Sequence, residues 1–429
     1  MTESITPILS QSSREQIYRR NFVHFLADSI LFTVAMGIIS ATTVIPDFVR
    51  NLTDSEILIG LSGNLFTIGF SLPQLFVARY IVRYARKKWW FVGPNIPVRF
   101  VILIFAFILA WLGTDRPELV LLAFFVCYSI AALGDGLVGV PWADMAGTSL
   151  DNRWRARIFG LTTASTGLIM LLIAPLIGLV LGDSGPEFPH NYAILFGAAG
   201  IVFALSIVPG LFFHELPGSQ SHKKLPTFGE FLPDLGRVLR DDVPFRAFII
   251  TRLFTSLFMM AYPFYIGYAT VELGLSSQVA VPTLLAMQTI GSVSGALLYT
   301  WLGARNNLMY IRLALVGATL LPISALIAGI VGPVPLYIGF LVSGLATSSN
   351  LLSSYLNWVV GYAKSDERPI YVGLMNTLAA IMSLVAPIIG GIIVQSLGYR
   401  PLFVVSLGLV LSALFITIRF LRSTKVEET

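Results

Sequence analysis

Apolar residues run through this chain in long blocks, and the polar residues gather between them. Twelve such blocks begin near Phe22, Ile57, Phe91, Glu118, Arg157, Tyr192, Phe245, Gln278, Leu308, Val334, Ile370 and Pro401. Each holds roughly 20 residues, enough to cross a hydrocarbon core of ~30 Å as a helix. A membrane barrel would instead show strands of ~10 residues with alternating polarity. The pattern predicts an all-α integral membrane protein with twelve transmembrane helices.

The blocks also repeat. Arg155-Ala156-Arg157-Ile158-Phe159-Gly160 followed by Ala174-Pro175-Leu176-Ile177-Gly178 returns as Arg368 through Gly373 and Ala386-Pro387-Ile388-Ile389-Gly390. In each copy a charged turn leads into an apolar run expected to break at Ala-Pro. The repeat predicts two pseudo-symmetric six-helix bundles, with Pro175, Gly178, Pro387 and Gly390 as hinge positions. The longest polar stretch lies between spans six and seven and is rich in Pro, Gly and Ser. The expected division is an N-terminal bundle over 1–214, a linker over 215–244 and a C-terminal bundle over 245–429. Phe228, Phe231, Leu232, Leu235 and Val238 give the linker an apolar face, which fits either a surface helix or a flexible tether.

Composition agrees with a lipid environment: 55% of residues are hydrophobic and 12% charged, against about 25% charged in a soluble domain. The net charge of +5 matters less than its placement. Lys and Arg crowd alternate loops (Arg79 to Lys88, Arg153 to Arg157, Lys223 to Arg246, Lys364 to Arg368), while the opposite side carries little beyond Arg50, Arg116 and Arg400. By the positive-inside rule both termini are cytoplasmic, in a multi-pass protein of the cell (inner) membrane. Basic residues that alternate with spans set topology, so no nucleic-acid partner is expected. The first apolar block is too long and too charged for a signal peptide. Cys127 is the single cysteine, and the histidines show no ligand spacing. No metal or cofactor is expected, and a monomer is.

Twelve spans in two sets of six, with matching blocks at spans five and eleven, resemble the major facilitator superfamily of secondary transporters. The loop Ala78 to Lys88 is similar to that family's G-x-x-x-D-x-x-G-R-R/K loop, with Ala85, Arg86 and Lys87 at its end and Arg83 within it. Ala78 stands in place of the first glycine and Val82 in place of the acid, which removes the usual acidic partner and leaves lipid headgroups as a role for the bases. Gly303, Ala304 and Arg305 look like a weak second copy. Ala174 to Gly178 is similar to the G-P-x-x-G-G motif of antiporters. The drug-antiporter pattern of span four is met at Gly134 and Gly136, but Ile130 stands where its arginine would be.

Charged groups at membrane depth cost about 2.5 to 3.5 kcal/mol or more, so each is a functional candidate. Asp28, Arg99, Asp135 and Arg252 lie within spans one, three, four and seven. Laying Asn21 over Phe245 aligns Asp28 with Arg252 at equal depth. The family resemblance implies that Asp28, Asp135 and Arg252 look into a central cavity with Arg99 behind them. A pair between Asp28 and Arg252 would close the cytoplasmic side, and separating it would let the carboxylate take a proton. The alternative is that Asp28 or Asp135 pairs permanently with Arg99. His24, one turn before Asp28, is expected to face water or headgroups.

Polar stripes add a second kind of candidate. Ser343, Thr347, Asn350, Ser354 and Asn357 share one face of span ten, a better substrate wall than the stripe Asn64, Thr67, Ser71 and Gln74 of span two, where interhelical hydrogen bonds are expected. Gln288 of span eight and Asn376 of span eleven add amides. In span seven, Pro263 should loosen the helix, with Tyr262 and Tyr265 lining a pocket and Tyr268 either lining it or standing in an aromatic belt.

Together these features predict a secondary active transporter that moves a small neutral or amphipathic organic solute by alternating access, coupled to protons, with export favoured over uptake of a sugar, nucleoside or similar nutrient. A receptor or lipid scramblase on the same fold is the reading from another class. No nucleophile and base pair or phosphate loop points to an enzyme.

Overall fold

A computed structural model describes residues 11–81, 83–150, 152–216, 239–298, 306–347, 349–363 and 368–421. Regular structure among these residues is entirely helical. Ten crossings hold a continuous helical stretch long and apolar enough to span alone. They are span one (Gln11–Ile38), three (Lys88–Leu112), four (Pro117–Ser149), five (Asn152–Val180), six (His190–Leu205, then Ile207–Leu211), seven (from Val243–Phe258), eight (Ser277–Leu298), nine (Asn307–Val331), eleven (Arg368–Leu397) and twelve (Tyr399–Phe420). The other two are jointed: span two is Glu56–Ser71 then Gln74–Ile81, and span ten is Val334–Thr347 then Ser349–Tyr362. Pro73 stands at the first joint, where it has no N–H for the carbonyl of Gly69. The proposed linker helix and the Gly303 to Arg305 loop lie outside the described residues.

The packing is duplicated as the sequence is. In the first half, span three packs on four and six, one on five and six, and two on four; in the second, nine packs on ten and twelve, seven on eleven and twelve, and eight on ten. Adding six to each first-half number gives the second set. The largest contacts between the halves are two that this symmetry exchanges, span two with eleven and span five with eight, and Tyr262–Gly267 of span seven also packs on span two and on Val44–Arg50.

Two expectations about proline come out differently. Spans five and eleven run as single helices through Pro175 and Pro387. A mid-helix proline forfeits one hydrogen bond, and packing on both sides holds the helix together across it. Instead of breaking, the repeated block supplies the contact between halves: a Cβ at Gly178 would lie 3.1 Å from Pro282, and one at Gly60 would lie 2.8 Å from the carbonyl oxygen of Pro387. Pro263 does loosen its span. Met259–Ala261 tightens to three residues per turn before the short helix Tyr262–Gly267, and Tyr268–Glu272 widens to a π turn.

An even number of crossings puts Gln11 and Leu421 on one face, the terminal face. There Asp242 caps span seven by accepting from the Phe245 N–H at 2.9 Å, and its carboxylate also accepts from the hydroxyls of Tyr362 (2.7 Å) and Tyr371 (2.9 Å). One carboxylate thus ties the starts of spans seven and eleven to the end of span ten. Asp242→Ala should lower stability by about 2 kcal/mol, read as a lower unfolding midpoint of the detergent-solubilised protein.

Candidate functional site

On the far face the halves are shut. Arg50, at the end of the short helix Val44–Arg50, grips both carboxylate oxygens of Glu56 at 2.7 and 2.9 Å. From the other half, Tyr399 donates to the same carboxylate at 3.2 Å, and Gly267 packs so closely that a Cβ there would lie 2.6 Å from the Arg50 guanidinium carbon. Gly391 lies against the backbone of Ile57 and Glu56. Asp47, buried beside them, accepts from the Tyr192 hydroxyl at 2.6 Å.

Beneath this closure lies a cavity of about 940 Å³. Its lining runs from Gly37 and Met170 at mid-depth to Phe91 and Ala143, near the terminal ends of spans three and four. Spans one to five and span eight build it. The walls mix aromatic groups (Phe32, Phe70, Trp142), hydroxyls (Thr162, Thr163, Thr166, Ser292) and the amides of Gln74 and Gln288. Thr42 of the first half donates to Gln288 Oε1 of the second at 2.9 Å.

The charged candidates of the first half meet in its wall. Arg99 Nη1 lies 3.0 Å from Asp135 Oδ1, both side chains being buried. The Arg99 guanidinium also sits over the rings of Phe32 (4.7 Å) and Phe203 (5.2 Å), an arrangement that suits a cation taken out of water. Asp135 is therefore the partner of Arg99, the fastening alternative of the sequence reading. Asp28 is held differently: its Oδ2 accepts from Trp142 Nε1–H at 2.8 Å, and its Oδ1 is buried without a donor. Its cation is not its own.

Arg252 stands on span seven, half-buried, with Nη1 3.3 Å from Ser256 Oγ and the guanidinium 5.2 Å over the Tyr355 ring. It makes no ion pair with Asp28, each having partners in its own half. His24 stacks on Phe212 with ring centroids 5.7 Å apart.

Of the expected substrate wall, Gln288 lines the cavity and the tyrosines do not. Tyr262 reaches Ser343 Oγ at 2.5 Å, Tyr265 is buried flat on Phe403 at 4.7 Å, and Tyr268 donates to the Ala325 carbonyl at 2.9 Å. Tyr268 is thus a core residue and not part of an aromatic belt. Ser354 is buried, and Asn357 is exposed. The side chains of Thr347 and Asn350 lie outside the described residues. Asn376 is exposed on the face of span eleven that carries Pro387, eleven residues on, toward the terminal side where the halves part. In span two, Asn64 and Ser71 bond their own helix, whereas Gln74 joins the cavity. The span-two stripe thus reaches the cavity that the span-ten stripe was expected to supply.

The basic loop is not short of acid. Lys87 is buried, its ammonium paired with Asp144 of span four and its N–H donated to Glu215 after span six. Arg83 and Arg86 are exposed. Sequence reading missed Asp144, Glu215, Trp142 and the Arg50–Glu56 fork. The only signal for Asp144 was an acid at a span end facing a basic loop.

A family model described as Major Facilitator Superfamily matches residues 28–342 and 311–429. No curated protein matches the chain. Among solved structures, a mutant of the nucleoside transporter NupG aligns with a TM-score of 0.71 at 14% identity, covering 94% of this chain and 100% of its own. NupG without that mutation gives 0.67 at 13% identity, covering 93% and 98%. A bacterial homologue of the human lysosomal transporter Spinster, inward-facing and unoccupied, gives 0.56 at 11% identity, covering 96% and 95%.

Proposed function

The chain belongs to the major facilitator superfamily of secondary transporters, and on that premise we propose that it moves a small amphipathic organic solute by alternating access, coupled to protons through Asp28. The observation that carries this reading is Asp28 itself, a buried carboxylate beside a large cavity, held by one indole N–H while the neighbouring Arg99 is spent on Asp135. A group so placed can change its proton without dismantling an ion pair. Aromatic, hydroxyl and amide walls suit a solute with an apolar body and a few polar groups.

The basic loops support a cytoplasmic terminal face in the cell membrane, so that the state described, shut on the far face, is the inward-facing one. The monomer and the division at 215–244 belong to the same proposal. Export is the direction favoured by the antiporter-like block Ala174 to Gly178. Uptake of a nucleoside-like nutrient is the second reading, favoured by the amides of Gln74 and Gln288 in the cavity wall and in keeping with the fold shared with NupG.

Counterflow in right-side-out and inside-out vesicles against a compound panel separates the two. Accumulation that collapses with a protonophore is expected in one orientation. Lipid movement in reconstituted liposomes without solute accumulation would reject the transporter reading in favour of a scramblase.

A further inference from the structure

The charges within the membrane do not balance inside either half. The first holds Asp28, Asp135 and Arg99, and since Arg99 pairs with Asp135, one negative group is left over. The second holds Arg252, which makes no ion pair among the described residues. A hydroxyl and a ring face its guanidinium, and its Nε is buried without an acceptor. Neither neighbour neutralises it. Asp28 and Arg252 occupy equivalent positions of the duplicated spans one and seven. Asp28 lines the cavity and Arg252 does not; the pseudo-symmetry sets Arg252 at the same depth in the second half.

We propose that Arg252 binds a carboxylate on the transported solute, and that the cargo is an organic monoanion that travels with the proton on Asp28. This rests on the proton-coupled reading above, taken as symport and not as the exchange that the block Ala174 to Gly178 favours. When the terminal side closes, both groups enter one dry space, where an uncompensated charge is costly. For an empty site or a monocarboxylate, two states are neutral: ionised Asp28 facing Arg252 with no cargo, and protonated Asp28 with the monocarboxylate on Arg252. A monocarboxylate beside ionised Asp28 leaves one negative charge, and protonated Asp28 beside an empty Arg252 leaves one positive. Only the neutral states close, which couples one proton to one anion.

The same count selects the ligand. A neutral solute balances only beside ionised Asp28 and so would cross without a proton, and a phosphate monoester, largely a dianion at neutral pH, overshoots. A carboxylate also matches the fork of the guanidinium. Arg99 and Asp135, the charged groups beside Asp28, cancel each other. His24, one turn away, stacks on Phe212, and Tyr355 faces Arg252.

The test compares hexanoate, octanoate, benzoate and phenylacetate with their primary amides, on the full chain, by thermal stabilisation in detergent and by counterflow in liposomes. At least one acid should stabilise and exchange, with its amide weaker by roughly thirtyfold or more. Arg252→Gln should erase that preference, Arg252→Lys should restore part of it, and Asp28→Asn should still bind the acid. Exchange should be indifferent to an imposed membrane potential. Equal response to acid and amide, no response to any acid, or an unchanged preference in Arg252→Gln would each overturn the assignment. If Arg252→Gln does not fold, the acid-against-amide comparison on the unmodified protein decides alone. Proton-coupled movement of neutral solutes would remove this inference and leave the proposed function standing.

Discussion

Gly391→Val is expected to hold the protein open on its far face and to slow transport by roughly thirtyfold. A Cβ at position 391 would lie 2.6 Å from the Cα of Ile57 and 2.8 Å from the carbonyl oxygen of Glu56, both backbone atoms of span two. Backbone atoms of a packed helix cannot swing aside as a side-chain end can. Overpacking of this kind costs about 1 to 3 kcal/mol. The cost falls on the far-closed state, because the contact vanishes when spans eleven and two separate. A penalty on one of two states shifts their populations, and about 2 kcal/mol is roughly a thirtyfold shift. The sidedness of Gln288→Cys in a Cys127→Ala background reads the shift. An impermeant maleimide should reach position 288 from the terminal face normally, and from the far face once Gly391→Val is added. Gly408→Val is the control, since a Cβ there meets nothing within 4 Å.

Asp28→Asn should abolish accumulation driven by a proton gradient while leaving solute exchange across the membrane intact. The amide keeps the size of the side chain and an oxygen for the Trp142 N–H, but it cannot carry a proton. Asp135→Asn makes the contrast. It leaves the buried Arg99 without its carboxylate, and stripping one partner from a buried ion pair destabilises by about 3 to 5 kcal/mol. The first variant should fold normally and be uncoupled; the second should fold poorly. Paired measurements of thermal stability and gradient-driven uptake in liposomes separate them. Loss of accumulation in neither variant would place the coupling group elsewhere.

The spans, their pairing by sixes and the basic terminal face were legible in the sequence because each is written locally, as a run of apolar residues or a cluster of Lys and Arg. The joint at Pro73 and the tightened turn before Pro263 follow from one residue each. What stayed hidden depends on partners far apart in the chain. Trp142 lies 114 residues from Asp28, and the acids that hold Lys87 arrive from 57 and 128 residues away, while the loop Ala78 to Lys88 holds none. The far-face fork was missed for another reason. Arg50 and Glu56 are six residues apart, but charges outside the apolar runs read as ordinary loop residues. Part of the span-ten stripe serves a helix contact, a use that a row of small polar groups fits as well as a cavity. Tyr262 and Ser343 bond directly, which is the helix-contact use.

Solute-evoked proton movement tests the coupling most directly. Liposomes holding a pH-sensitive dye, with a solute gradient but no imposed pH gradient, should show proton flux with the unmodified protein. The flux should vanish with Asp28→Asn, although that variant still exchanges solute. Solute movement without protons in the unmodified protein, or equal proton flux with Asp28→Asn, would contradict a coupling site at Asp28.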